Sequence, residues 1–362
     1  MTKLRRAFAY LLRMGFPWPG QRADPWSRAA RHAVLARWPA ALSPLIWVAS
    51  SLIWPVSSLI LSLNSAREAR VGPRGLWLIC WRAALTRNIP PREFVLYQLH
   101  LRGALDKPWR FETETSTLLG QITNPQTGQL SRDKRAFHNW MAGRGAPVVP
   151  LLDALEGDAV VSKPRYGGRG VRLTAWHRHA RDRWQGQEAF GPGRETLASA
   201  DLHARIRAQD LLLQPLIPTD PAFGCLPVAR VITCRKSDTA DVLDALVQIP
   251  AKGDLASHRG AFRRVQVTTG EILRAGPGQR SLLSGGLRPE MPLEGQSLPH
   301  WAEILPHLTQ AHEAMPPPCP LVGWDVVWGG DGPQILEANI GIAFTLFQID
   351  RLEPMDFPEG LI

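Results

Sequence analysis

Two runs of β-forming residues near the end of the chain, 321–328 (LVGWDVVW) and 334–340 (QILEANI), are separated by 329–333 (GGDGP). Glycine-rich punctuation between such runs predicts a hairpin, and a hairpin decides which side chains share a face. With all five linking residues in the loop, Trp328 faces Gln334 and Asp325 lies opposite Glu337. Like charges opposed at roughly 5 Å between Cβ atoms are destabilising; a divalent cation removes the conflict. Glu337 and Asn339 are two apart on one strand, so they project from the face that carries Asp325. Gly323, across from Asn339, leaves space. Three oxygen donors beside a gap suit Mg²⁺, which takes one or two carboxylates and completes its octahedron with water and phosphate oxygens. From this segment alone a solvated hairpin face reads equally well.

A chain of 362 residues is long enough for two domains or one large composite domain. Its four cysteines show no CxxC spacing and read as reduced thiols. Neither HExxH nor GxSxG occurs, which removes zinc proteolysis and serine hydrolysis.

Charge is unevenly placed. Residues 1–37 carry eight basic side chains against Asp24, a balance of +7 within a total of +10. From Trp38 to Ala66 there is no charge, and apolar residues from Leu42 to Leu63 recur at helical spacing with serines on the other side. Seven of the fourteen tryptophans fall between Trp18 and Trp81. Basic arm, tryptophan and uncharged helix together predict contact of residues 1–75 with an anionic membrane surface. Arg13 interrupts the first apolar run, so no cleaved signal is expected. A helix lying in the cytoplasmic leaflet, broken at Pro44 and Pro55, is the expected form, and an ordinary buried helix is the alternative. Nucleic acid is not an expected partner, because the remaining 325 residues are nearly neutral and no reading helix is recognisable.

The second motif is 158–176 (DAVVSKPRYGGRGVRLTAW). Ala159 to Lys163 and Val171 to Trp176 read as strands with 164–170 as their turn. A glycine-rich loop inside a hairpin differs from a Walker loop, which runs from strand to helix; it makes a lid whose backbone N–H groups can close over phosphates. Gly167, Gly168 and Gly170 permit close approach, and Lys163 and Arg169 supply charge. Only six of the 42 basic residues are lysine. In so arginine-rich a chain, Lys163 and the Lys134 of SRDKRAFHNW mark places where a compact ammonium is wanted.

The order of DK (Asp133, Lys134), Gly145 and Pro147, KPRYGGRG, LLLQPLI (211–217) and finally Asp325 with Glu337 and Asn339 resembles the ATP-grasp superfamily. PVARVIT (227–233), VGWDVVW and ILEANIGIAF are similar to its sugar-transfer-associated, alpha-L-glutamate-ligase-related branch. The resemblance covers about residues 90–350. It implies an α+β fold in which two subdomains clasp ATP. By the same resemblance Lys134 and Lys163 meet the phosphates, Gly167 to Gly170 form the lid, and Gln214, Pro215, Leu216 and Ile217 form the hinge beside adenine through backbone groups. Asp325, Glu337 and Asn339 hold Mg²⁺, and Arg230 meets the transferred phosphate. Relatives commonly carry a glutamate where this chain has Gln214. Where the branch shows an asparagine and paired glycines, this chain reads KGDLASHRGAF, which leaves Lys252, His258 and Arg259 as candidates only.

The implied activity is a Mg-ATP-dependent ligase joining a small-molecule carboxylate to an amine or thiol through an acyl-phosphate, in cell-envelope polysaccharide or amino-acid conjugate synthesis. The alternatives are a phosphotransferase acting on a hydroxyl and a non-catalytic nucleotide-binding accessory. The expected organisation is a basic and apolar arm (1–75), a helical region (76–150, with a helix from Pro91 to Arg102), a lid subdomain (151–213) and a C-terminal half with the metal site (214–362). The turn-rich 274–299 is expected to be an exposed loop. The expected location is cytoplasmic, at the inner face of the membrane.

Overall fold

The computed structural model describes residues 52–63, 72–87, 89–101, 103–167, 172–189, 194–219, 225–250, 261–276, 293–342 and 344–357, with isolated positions besides. The chain forms two compact units. One comprises Met1–Ile122, Ala275–Leu287 and Gly341–Ile362; the other comprises Thr123–Arg274 and Arg288–Ile340.

In the first unit residues 52–63 are helical (α1), and Pro55 sits inside that helix rather than breaking it. Pro44, the other expected break, lies outside the described residues. Next come α2 (Pro73–Arg87), α3 (Pro91–Leu96) and α4 (Glu112–Ile122). The expected helix from Pro91 to Arg102 stops at Leu96, and two residues on Gln98 takes the left-handed conformation at φ 51°, which a right-handed helix cannot contain. The Glu93 side chain accepts from Glu112 N at 2.8 Å and so caps α4. Burial pushes that carboxyl up to about 8.

The second unit holds α5 (Pro125–Arg132), α6 (Lys134–Ala142) and two five-stranded sheets, both antiparallel throughout. This is the α+β class that the resemblance implies. The first sheet runs β4-β3-β2-β1-β5, from β1 (Ala159–Pro164), β2 (Thr174–Ala180), β3 (Arg183–Glu188), β4 (Arg194–Ala198) and β5 (Leu211–Pro215). β2 starts three residues later than expected, after Arg172 at φ 62°. One face of this sheet packs Val160, Trp176 and Leu213 on Leu202 and Ile206 of α7 (Ser199–Ala208). Trp176 lies opposite Gly186, where a Cβ would come within 2.5 Å of its ring.

The second sheet runs β10-β9-β6-β7-β8, from β6 (Val228–Lys236), β7 (Thr239–Ile249), β8 (Ala261–Arg264), β9 (Leu321–Gly329) and β10 (Gly332–Asn339). β9 is buried along its whole length, as its nearly unbroken apolar run requires of a central strand. Behind it lies α8 (Trp301–Ala314), whose Trp301 stacks on Trp328 at 5.9 Å. Trp324 Nε1 donates to Thr233 Oγ1 at 2.8 Å, that hydroxyl meets His312 Nδ1 at 2.7 Å, and His312 Nε2 meets the Cys319 carbonyl at 2.8 Å. A carbonyl only accepts, so Nε2 carries the proton and Nδ1 accepts from the threonine. The imidazole is therefore neutral, in line with burial pushing it down to about 4. Residues 147–152 join the sheets: Ile335 N donates to Pro147 O, Val149 N to Ile335 O, and Leu152 N to Leu213 O. At the described end of the expected exposed loop, Leu293 and Leu298 are buried instead.

Candidate active site

The β9–β10 turn is tighter than the glycine count indicates. Gly329 pairs with Gly332, which leaves two residues in the turn and places Trp328 opposite Pro333, not Gln334. A bulge between Ile335 and Glu337 then shifts the register by one, so Asp325 does face Glu337, and Asn339 faces Gly323. β6 lies on the other side of β9 and pairs Arg230 with Asp325. The Arg230 guanidinium forks onto the carboxylate, Nε to Oδ1 and Nη2 to Oδ2, both 2.8 Å. Asn339 Nδ2 donates to Asp325 Oδ2 at 3.2 Å and to Glu337 Oε1 at 3.5 Å. Lys134 Nζ lies 3.6 Å from Glu337 Oε2 and also donates to the Gly167 carbonyl. Burial, and then the facing Asp325, push the Glu337 carboxyl up; Asp325 in turn pushes the Arg230 guanidinium up.

Lys163 sits on the β1 face opposite the Trp176 core, level with Leu212. It is buried, and among the described residues it makes no ion pair. Desolvation pushes its ammonium down to about 8, against the pull of Glu337 and Asp325. Lys134, Phe137, His138, Lys163, Gln214 and Leu336 are among the residues that line a narrow recess. It brings the two ammonium groups together among mixed polar and apolar side chains.

Of the expected hinge residues, Gln214 is buried and its Nε2 donates to Val149 O at 3.0 Å, so the carboxamide braces 147–149 against β5. Pro215 ends β5 and has no N–H, while the Leu216 N–H already donates to Ala159 O. Ile217 packs a methyl where a Cβ on Gly329 would fall, 2.4 Å away, which ties the hinge to the hairpin turn through a position only glycine can fill. Gly167 takes φ 103°. Gly168, Arg169 and Gly170 of the expected lid lie outside the described residues, as do Lys252, His258 and Arg259.

Sequence reasoning did not assign Arg165. Its guanidinium forks onto Asp133, which also receives the Tyr166 hydroxyl at 3.2 Å and caps α6 through Arg135 N and Ala136 N. Lys134 N donates to Arg165 O at 3.2 Å. The clamp therefore fixes both the start of α6, with Lys134, and the end of β1, with Lys163. Its readable trace was an aspartate directly before a helical pattern. Phe137 and His138 were also missed; they follow Lys134 at helical spacing on one face.

The donor set fits Mg²⁺. A carboxylate offers about four lone-pair sites; the Arg230 fork and Asn339 use three on Asp325, which leaves one for a cation. Asn339 presents its amino group to the carboxylates here, and a half-turn of the carboxamide presents Oδ1 instead. Glu337 gains most, since a cation offsets both the burial and the facing Asp325 that raise its carboxyl.

No family model matches the chain, and no curated protein matches it. Among solved structures the chain is similar to an L-amino acid ligase from Bacillus licheniformis, at 13% identity over 70% of this chain and 47% of that one, with a TM-score of 0.35. It is similar to a D-alanine-D-alanine ligase from Helicobacter pylori, at 9% identity over 66% of this chain and 64% of that one, TM-score 0.38. A third is a RimK domain protein ATP-grasp from Sphaerobacter thermophilus, at 13% identity over 62% and 66%, TM-score 0.32. Two of these are ligases. The chain spans about half to two thirds of their lengths.

Proposed function

We propose that the chain is an ATP-grasp, Mg-ATP-dependent ligase that joins a carboxylate to an amine. The observation that carries the reading is the convergence of Asp325, Glu337 and Asn339 with Arg230 and Lys134 beside a recess that also holds Lys163. Phosphoryl transfer asks for position and charge stabilisation rather than a protein nucleophile, and these residues supply both. Mg²⁺, when bound by Asp325, Glu337 and Asn339, neutralises phosphate charge. Lys134 and Lys163 bind phosphate oxygens, and Arg230 stands on the side of the transferred group. A substrate carboxylate oxygen attacks the γ-phosphorus as the bond to the β-phosphate oxygen breaks and ADP leaves. The amine nitrogen then attacks the acyl carbon, the carbon–oxygen bond to the phosphate breaks, and phosphate departs with the proton that the nitrogen loses. The Gly167 turn, held by Lys134, is the point from which a lid excludes water. The branch resemblance supports a carboxylate from a cell-envelope saccharide or amino-acid conjugate, handled in the cytoplasm.

The test is incubation of the purified chain with Mg-ATP and a panel of amino acids and amines, with mass spectrometry of the products. ADP, phosphate and a new amide in equal amounts are expected. A phosphorylated product without amide would make the chain a phosphotransferase. Nucleotide binding without ADP release across the panel would make it an accessory protein.

A further inference from the structure

Helix α1 is built the wrong way round for a surface in water. Its buried stripe is Trp54, Ser58 and Ser62, with both serines 0% exposed, whereas Leu52, Val56, Leu59, Ile60 and Leu63 are 42–69% exposed. At about 100° per residue the outer five fall within an arc of about 100°, opposite the serines. A helix on a soluble domain normally turns such a stripe inward.

The inward face meets α2. Trp54 packs on Ala84, Ser58 sits beside the Cys80 thiol, and Trp77 Nε1 donates to Pro55 O at 3.0 Å. Ser58 and Ser62 on α1 and Cys80 and Ala84 on α2 are small residues four apart, and all four are buried. α2 adds Leu78 and Ile79 to the exposed apolar surface.

Charge selects the occupant. The stretch 38–66 is uncharged, 1–37 carries +7, and Arg67, Arg70 and Arg74 follow against Glu68 alone. A second copy of the chain would bring the same cations against these, whereas anionic headgroups neutralise them. No helix among the described residues is long and apolar enough to cross a membrane. We propose that the α1–α2 pair docks the chain on an anionic lipid surface, lying along the headgroup boundary with the stripe from Leu52 to Leu63 in the acyl region. This stands independently of the ligase reading.

The experiment is flotation of the purified full-length chain with phosphatidylcholine vesicles, with and without about one third phosphatidylglycerol. The wild type is expected to float with the anionic vesicles and to be quenched at tryptophan by brominated acyl chains. Leu52→Glu with Ile60→Glu should lower binding on the order of tenfold or more, because each change forfeits apolar burial and adds a charge, with an unchanged circular-dichroism melt. Absence of wild-type flotation, equal flotation on neutral vesicles, or equal binding by the double variant overturns the proposal. So does a lipid-free dimer in sedimentation that the double variant dissociates, which would assign the face to a second copy. The wild-type quenching needs no variant and decides the case if the double variant misfolds.

Discussion

With Lys163 at the nucleotide phosphates, as proposed, its burial would tie nucleotide affinity to pH. Burial holds the folded ammonium at about 8, against 10.5 for an ordinary lysine. If polyphosphate binds only its charged form, affinity follows the protonated fraction, falling about tenfold, or about 1.4 kcal/mol, between about pH 7 and pH 9. At about pH 9 binding should take up nearly one proton per nucleotide, since the phosphates restore the charge that burial removed. Calorimetry of Mg-ATP binding in two buffers of different ionisation enthalpy reads that uptake directly. Lys163→Met should abolish the uptake and weaken binding. It should also stabilise the fold at neutral pH by about 3 kcal/mol, the cost of holding a desolvated cation. The folded pKa lies below the unfolded one, so this penalty is complete below about pH 8 and disappears as pH rises towards about 10.5. Urea unfolding of the two proteins at neutral and alkaline pH measures it. Affinity that stays level from about pH 7 to pH 9, or a methionine variant less stable than wild type at neutral pH, would refute the reasoning.

Glu337→Gln should cut the Mg²⁺-dependent part of nucleotide affinity on the order of tenfold or more; calorimetry with and without Mg²⁺ reads it. Glu93 remains protonated in the fold up to about 8, so its contribution to stability is present below about pH 4.5 and is lost as pH rises to about 8, a fall of about 5 kcal/mol. Glu93→Gln should flatten that slope in urea titrations at stepped pH, and parallel wild-type and variant curves would reject it. Gly186→Ala drives a methyl into the Trp176 ring and should cost about 1–3 kcal/mol, seen as a lowered thermal midpoint.

Much of the carboxylate face was legible because period-two alternation puts Glu337 and Asn339 together whatever happens at the turn. The pairing with Asp325 came out right through two compensating features. The turn holds two residues rather than five, and the bulge before Glu337 restores the register; neither leaves a mark in a hydrophobic pattern. The Arg230 fork joins positions 95 residues apart. It depends on β6 lying beside β9, which no local spacing encodes. The two lysines, 29 positions apart in the sequence, could be grouped only through resemblance, and the Asp133–Arg165 clamp that holds them in place was visible as no more than a helix cap. The early end of α3 and the late start of β2 both follow from single residues at positive φ, Gln98 and Arg172, types that carry no turn signal.

The bulge in β10 has an evolutionary and engineering consequence. On a regular strand neighbouring side chains part company, yet Ile335 and Leu336 both line the recess while Glu337 still meets Asp325. Smoothing the kink at unchanged length would set Leu336 opposite Asp325 and Glu337 opposite Trp324, and the acid and the carboxamide would turn to the other face together. Deleting Leu336 would instead leave a regular ladder with the acid still opposite Asp325, so this spot tolerates a shorter strand better than a straightened one.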